Sequence, residues 1–341
     1  MTPPVTRREA RAAHLLTGAS APVRHARARR ASRIRFVFAC VATVVLGVGG
    51  AAAITSAVSA PDFSATAGLM IVDAAEKTQS PPVPQPVSAL PAPSVKAAPA
   101  LVDVCADPAF AAAIGAGDDT AAIAAAGGGE AFRVAVATGH AACVPLADPS
   151  RVWAVVNKSR PSEPVDYQPG DLVAPAMRDT AGGTLRADAA TALAQMATAA
   201  ASAGAGEVAL ASGYRSYATQ RSTYQRQVST RGRAEADKVS ARAGFSEHQS
   251  GLAADVTACA SGCVDMGAFG GTPQQQWVAA HSWEYGWVVR YVQGRTPITG
   301  YSPEPWHLRY IGPELAAAYH EGGWESLEEF FGLPAAPDYP G

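Results

Sequence analysis

The pattern of apolar and polar positions predicts a mixed set of helices and strands over the second half of the chain. From Leu185 to Ala203 apolar residues recur at helical spacing, and Gly204 follows as a stop signal. Further helices are predicted over 216–231, 273–285 and 312–323, and strands over 151–156, 207–212, 253–256, 287–292 and 305–311. Because the two types do not alternate regularly, we expect an α+β fold with a small antiparallel sheet flanked by helices.

A longer apolar run near the start has a different character. Ile34 to Val58 contains 25 residues, interrupted only by Arg35, and shows no polar face. A helix of this length spans the hydrocarbon core of a bilayer. The first 35 residues carry nine arginines and the single acid Glu9, which places the N-terminus in the cytoplasm by the positive-inside rule.

This pattern predicts a single-pass protein of the cell membrane, with everything beyond residue 60 on the extracytoplasmic side. Residues 1–33 are interpreted as a basic tail, 34–58 as a transmembrane signal anchor, and 59–100 as a spacer with seven prolines in its last 21 residues. The alternative is a signal peptide that is cleaved before Pro61, which would give a secreted form.

Composition narrows the function classes. Across 341 residues, 27 Lys and Arg stand against 29 Asp and Glu, a formal net charge of −2. A nucleic-acid-binding protein would usually show a strong basic excess, so no nucleic-acid partner is expected.

Four of the five cysteines lie beyond the apolar run, an even number that suggests two disulfides in an exported region. Proximity favours pairing Cys105 with Cys143 and Cys259 with Cys263. The first bridge would close an Ala-rich extension over residues 101–150. A four-cysteine metal site is disfavoured because no Cys-x-x-Cys pair occurs.

Two of the seven histidines lie close to acids in a pattern that suits a metal. His248 precedes Asp255 by seven residues, and Glu304 precedes His307 by three. A catalytic zinc requires three N or O ligands from the protein and an open position, and His248, Asp255 and His307 supply that set. Glu304 would then be a free carboxylate suited to general base catalysis. Pairs of histidine and acid are common, so spacing alone leaves other interpretations open.

Four segments, in order, resemble the VanY-type D-alanyl-D-alanine carboxypeptidases, zinc peptidases of the LAS group. The segments are VVNKSRPSEPVDYQPGDLV (155–173), SGYRSYATQ (212–220), FSEHQSGLAADV (245–256) and EPWHLRYIG (304–312). The similarity covers Val152 to Phe331, so residues 151–333 are identified as a zinc D,D-carboxypeptidase domain, with the LAS/hedgehog-like fold that the resemblance implies.

The resemblance also implies roles for particular residues. His248, Asp255 and His307 would bind Zn²⁺, Glu304 would be the general base, and Arg215 would stabilise the oxyanion. Ser246 and Gln220 match positions near the substrate terminus, and Trp306 is expected to pack either beside the pocket or in the core.

The function that follows is removal of the terminal D-alanine from peptidoglycan stem peptides by a monomeric enzyme. An endopeptidase or L,D-peptidase of the same group is an alternative, because the bond that is cleaved depends on the pocket walls rather than on the ligands. A second alternative is a catalytically inactive peptidoglycan-binding module.

Overall fold

The computed structural model describes residues 103–340, which contain ten α-helices and six β-strands. The helices are α1 (Pro108–Ala116), α2 (Asp119–Ala125), α3 (Gly129–Ala137), α4 (Ala187–Ser202), α5 (Tyr217–Arg231), α6 (Arg233–Ala236), α7 (Pro273–His281), α8 (Thr296–Thr299), α9 (Pro313–Glu321) and α10 (Leu327–Phe330). The strands are β1 (Leu172–Val173), β2 (Leu185–Arg186), β3 (Glu207–Ser212), β4 (Ala253–Cys259), β5 (Trp287–Tyr291) and β6 (Glu304–Tyr310).

The centre of the fold is a four-stranded antiparallel sheet in the order β3-β4-β6-β5. Side chains alternate between its two faces, as the period of a strand requires. On one face Ala254, Val256 and Leu308 join the buried core, in which α4 packs beside β3. On the other face Asp255 of β4 lies directly opposite His307 of β6. The predicted α+β class with a small antiparallel sheet is therefore confirmed.

Local sequence explains where two of the helices begin. Ser216 caps α5 by accepting a hydrogen bond from the backbone N–H of Thr219. Thr272 caps α7 in the same way, with Pro273 in the first turn, as the sequence predicts. Here the predicted helix is divided, because α7 ends at His281 and a 3₁₀ turn continues to Tyr285.

The Ala-rich extension folds as three short helices, α1 to α3, that share one hydrophobic core with the rest of the described chain. A disulfide joins Cys105 to Cys143, and Phe132 of α3 packs against Trp153. The backbone of α3 lies against α9 so closely that a Cβ on Gly129 would collide with the carbonyl of Glu314.

One predicted strand is absent. Residues 151–156 are mostly buried, but among the described residues they belong to no sheet. The N–H of Val155 donates to the carbonyl of Leu146, while Arg309 donates to the carbonyls of Val152 and Ala154. The run is apolar because it is buried, not because it forms a strand. Its backbone groups are hydrogen-bonded to a loop and to the Arg309 side chain instead of to a partner strand.

The membrane localisation expected from the sequence is corrected here. Across residues 103–340 no helix is both long enough and apolar enough to cross a bilayer. The segment 34–58 on which the expectation depended lies outside the described residues, as do the predicted basic tail and the proline-rich spacer.

Candidate metal centre and active site

Three structural elements bring the predicted metal ligands together. His248 lies in a 3₁₀ turn, Glu247–Ser250, that ends at Gly251 with a left-handed φ of 72°. The turn leads directly into β4, which carries Asp255, and the register of β4 against β6 places His307 opposite. Ligand atoms of His248, Asp255 and His307 all lie within 4.8 Å of one another, and the three side chains are buried.

The hydrogen bonds of His248 orient it as a metal ligand. Its Nδ1–H donates to the carbonyl oxygen of Gly213 at 2.8 Å, which leaves a lone pair on Nε2. This Nε2 is buried and has no hydrogen-bond partner among the described residues, although it lies 3.3 Å from Oδ2 of Asp255. Burial, together with the positive charge of Arg215, lowers the pKa of His248 to about 4, so the ring is neutral as a ligand must be.

His307 is held between two carboxylates. Its Nδ1 lies 3.0 Å from Oδ1 of Asp255 and its Nε2 lies 3.2 Å from Oε2 of Glu247. Burial alone would lower the pKa of His307, but hydrogen bonds to Asp255 and Glu247 outweigh burial and raise it to about 9. A metal cation between the two imidazoles and Asp255 would replace the proton that His307 Nδ1 otherwise shares with Asp255.

This donor set fits Zn²⁺. Two imidazoles and one carboxylate are the N/O ligands of a catalytic zinc site with an open position. The buried, unpartnered Nε2 of His248 is a specific observation in favour of a metal there, because buried polar atoms are otherwise nearly always paired.

Glu247 is a part of the site that the sequence analysis missed. The carboxylate is fully buried and accepts hydrogen bonds from His307 Nε2 and from Nε of Arg290 at 2.9 Å. Burial alone would raise the pKa of Glu247, but Arg290 and His307 hold it well below its usual range. Arg290 in turn forms a two-pronged ion pair with buried Glu328. The only signal in the sequence was an acid next to His248.

Glu304 and Arg215 lie in the same cavity as the ligands. The cavity has a volume of about 280 Å³, and Oε2 of Glu304 lies 3.8 Å from Nδ1 of His307. Burial raises the pKa of Glu304 to about 7. The Nε of Arg215 is buried without a hydrogen-bond partner among the described residues, and the backbone of Arg215 is tied to the carbonyl of His248.

The three predicted substrate-binding residues differ in their position relative to the cavity. Ser246 lines the cavity and is buried. Trp306 lines the cavity and also packs against the core, so both of its expected positions apply. Gln220 is not among the lining residues, because its Nε2 is turned to the carbonyl of Ala241 and the hydroxyl of Ser240. Gln220 therefore lies behind the cavity wall, where it is hydrogen-bonded to two residues that line the cavity, and does not face the cavity itself.

The remaining walls come from segments that carried no motif. These lining residues are Thr223, Gln227, Val239, Ser240, Ala241, Met266, Tyr291 and Tyr301. Met266 follows the turn closed by the Cys259–Cys263 disulfide, and the ring of Tyr291 lies 4.9 Å from that of His307.

Comparison with known proteins shows which family this chain belongs to. The family model VanY, D-alanyl-D-alanine carboxypeptidase, matches residues 182–313. A putative carboxypeptidase, YodJ of Bacillus subtilis, is 37% identical over 191 residues, which are 54% of this chain and 69% of that protein. A D-alanyl-D-alanine carboxypeptidase of Enterococcus faecium is 39% identical over 88 residues, 26% of this chain and 27% of that enzyme.

Among solved structures, the LdcB LD-carboxypeptidase is similar to this chain with a TM-score of 0.50 and 38% identity. The similarity covers 54% of this chain and 86% of that one. The residues matched by the family model include Glu304 and the three residues that could hold a metal ion. With more than two thirds of a relative covered at over 30% identity, the chain belongs to the VanY family of D-alanyl-D-alanine carboxypeptidases and is an enzyme of the zinc metallopeptidase class.

Proposed function

We propose that this enzyme is a carboxypeptidase that removes the terminal D-alanine from peptidoglycan stem peptides. The observation that carries the proposal is the meeting of a three-ligand metal set, a free carboxylate and a guanidinium in one cavity of about 280 Å³. The D-alanyl-D-alanine carboxypeptidases among its relatives support the substrate class.

His248, Asp255 and His307 would hold the metal. When bound, zinc supplies a Lewis acid that activates water and polarises the scissile carbonyl. Glu304 accepts the proton of the attacking water and then donates it to the leaving amine. Its raised pKa, about 7, is close to the value that serves both steps at neutral pH.

Arg215 and Ser246 would orient the substrate. The guanidinium of Arg215 is available to the carbonyl oxygen as negative charge develops there, because its Nε makes no hydrogen bond to another described residue. The hydroxyl of Ser246 lines the same cavity and can donate to the terminal carboxylate of the peptide.

An L,D-carboxypeptidase is the second candidate. It is favoured by the similarity to the LdcB LD-carboxypeptidase, which covers 86% of that chain. Both activities release one D-alanine and use the same catalytic groups, but they differ in the configuration of the residue before the scissile bond.

The test is incubation of the zinc-loaded protein with pentapeptide and tetrapeptide stems, followed by mass spectrometry of the products. Loss of one alanine from the pentapeptide alone supports the first candidate, and loss from the tetrapeptide alone supports the second. Loss of alanine from neither stem would refute both candidates.

The role of Glu304 is tested by Glu304→Gln. We expect zinc content to be unchanged and D-alanine release to fall by roughly 10²–10⁴, the usual contribution of a positioned acid or base. Glu284→Gln is the matched control, since Glu284 is exposed and, among the described residues, forms an ion pair only with His281. Turnover by Glu304→Gln close to that of the control would remove Glu304 from the mechanism.

A further inference from the structure

Helix α5 forms one wall of the active-site cavity and carries an unusual charge. Thr223 and Gln227, one helical turn apart, are its lining residues. The helix has three arginines and no acid, although acids outnumber basic residues in the chain as a whole. These arginines are Arg221, Arg226 and Arg231.

Two of the arginines are hydrogen-bonded to the lining residues themselves. Arg226 Nη2 donates to Oγ1 of Thr223 at 3.1 Å, and Arg231 Nε donates to Oε1 of Gln227 at 2.9 Å. Both arginine side chains are exposed to solvent. The hydrogen bonds therefore hold two guanidinium groups at the mouth of the cavity, where each keeps further N–H donors free.

Two basic residues that follow α5 in the chain are paired with acids, whereas Arg226 and Arg231 are not. Lys238 pairs with Glu235, and Arg242 pairs with Asp237. Within residues 103–340, no carboxylate lies within ion-pair distance of Arg226 or Arg231.

We propose that Arg226 and Arg231 form a cationic rim that binds a carboxylate of the substrate peptide upstream of the scissile bond. Arginine presents N–H groups in a planar fork that matches a carboxylate. Helix α5 begins two residues after Arg215, which lines the cavity and donates its backbone N–H to the carbonyl of His248, so the helix starts beside the reaction centre. Thr223 lies six residues after that start, about 9 Å along the helix axis at ~1.5 Å per residue. An extended peptide covers that distance in about three residues, at ~3.3 Å each.

The rim therefore selects peptides with a free acid near the third residue before the cleaved bond. This inference rests on the proposed function in one respect, that the ligand is a peptide whose C-terminus enters the cavity. It adds a preference that the catalytic groups do not supply, since none of them reaches the mouth along α5.

The test uses pairs of pentapeptides ending in D-Ala-D-Ala that differ only in a free or amidated carboxylate at the second position. At low ionic strength we expect the acid peptide to have a three- to tenfold higher kcat/KM, from roughly 1 kcal/mol for a partly solvated charge contact. The preference should fall to less than about twofold in the Arg226→Gln/Arg231→Gln double variant, since both charges are then gone.

Arg221→Gln is the matched control. Arg221 is an exposed arginine on the same helix, but it lies two residues before Thr223 and so projects from the opposite side of α5. Its variant should keep both the basal activity and the acid preference. An equal loss of preference in this control would overturn the rim in favour of long-range attraction, and a preference retained by the double variant would also overturn it.

A binding measurement separates this proposal from the proposed function. Dissociation constants for the acid and amide peptides, measured on Glu304→Gln, report the rim even if no bond is cleaved. Absence of D-alanine release by the zinc-loaded wild type would refute the proposed function alone. Equal affinity for the two peptides would refute the rim alone.

Discussion

Glu247→Gln should weaken zinc binding even though Glu247 is not among the proposed ligands. The substitution keeps the shape of the side chain but removes its charge from between His307 Nε2, at 3.2 Å, and Arg290 Nε, at 2.9 Å. The amide oxygen of glutamine can accept from only one of these donors well, and its NH₂ then faces the other. His307 would lose the acceptor that fixes its orientation.

The expected magnitude follows from these contacts. Loss of a carboxylate behind a metal-ligating histidine costs about 10- to 100-fold in metal affinity, or ~1.4–2.7 kcal/mol. The metal-free protein should also lose about 3 kcal/mol of folding free energy, the lower end for a broken buried ion pair, because Arg290 keeps its two hydrogen bonds to Glu328.

The assay is competition for zinc with a chromophoric chelator, alongside urea unfolding of the metal-free protein. Glu328→Gln is the matched control, since Glu328 is equally buried and bonds Arg290 but not His307. We expect the control to be similarly destabilised while its zinc affinity stays within about threefold of wild type. Equal zinc affinities in the two variants would refute the positioning role of Glu247.

Two further predictions concern stability. Burial alone would raise the pKa of Asp237, but its two hydrogen bonds from Arg242 outweigh burial and lower the pKa. The contact therefore stabilises the fold fully above the unfolded-state pKa, and this stabilisation is lost as the pH falls through the lower folded-state pKa. Asp237→Asn should therefore lower the free energy of unfolding near pH 6, measured by urea titration, by at most about 1 kcal/mol. The difference from wild type should vanish at low pH, and a constant difference down to pH 2 would contradict this. Gly129→Ala should cost about 1–3 kcal/mol because its Cβ meets the Glu314 carbonyl, whereas Gly115→Ala, with open space around it, should be neutral or stabilising in the same thermal unfolding assay.

Much of the catalytic domain is determined by local sequence. β3 spans the predicted range, and α5 begins one residue after its predicted start, because a strand bounded by turns and a helix with a Ser cap are set by neighbouring residues. Residue types and spacing made a zinc site one interpretation of the sequence, and the resemblance to the VanY-type carboxypeptidases singled out its ligands. The disulfide partners that proximity favours are the ones that the structure joins.

Other features depend on contacts between residues far apart in the chain. The apolar run over 151–156 predicted a strand, but strand formation requires a partner edge, and Arg309 supplies hydrogen bonds there instead. Gln220 matched a substrate-binding position, yet its amide is turned to the backbone of Ala241. A sequence shows which groups are available but not which neighbour each of them meets.

The sequence by itself pointed to the chemistry that we propose: two histidines, two acids and an arginine, all within the segments that resemble the VanY-type carboxypeptidases. Only the tertiary structure decided the pKa values of these groups and the residues that surround them. The register of β4 on β6 sets Asp255 against His307, 52 residues apart, and folding brings Arg290 to Glu247 across 43 residues. Charges so far apart in the sequence meet only in the folded protein. Burial there removes the water between them and strengthens their interaction, and no local pattern of residues shows this.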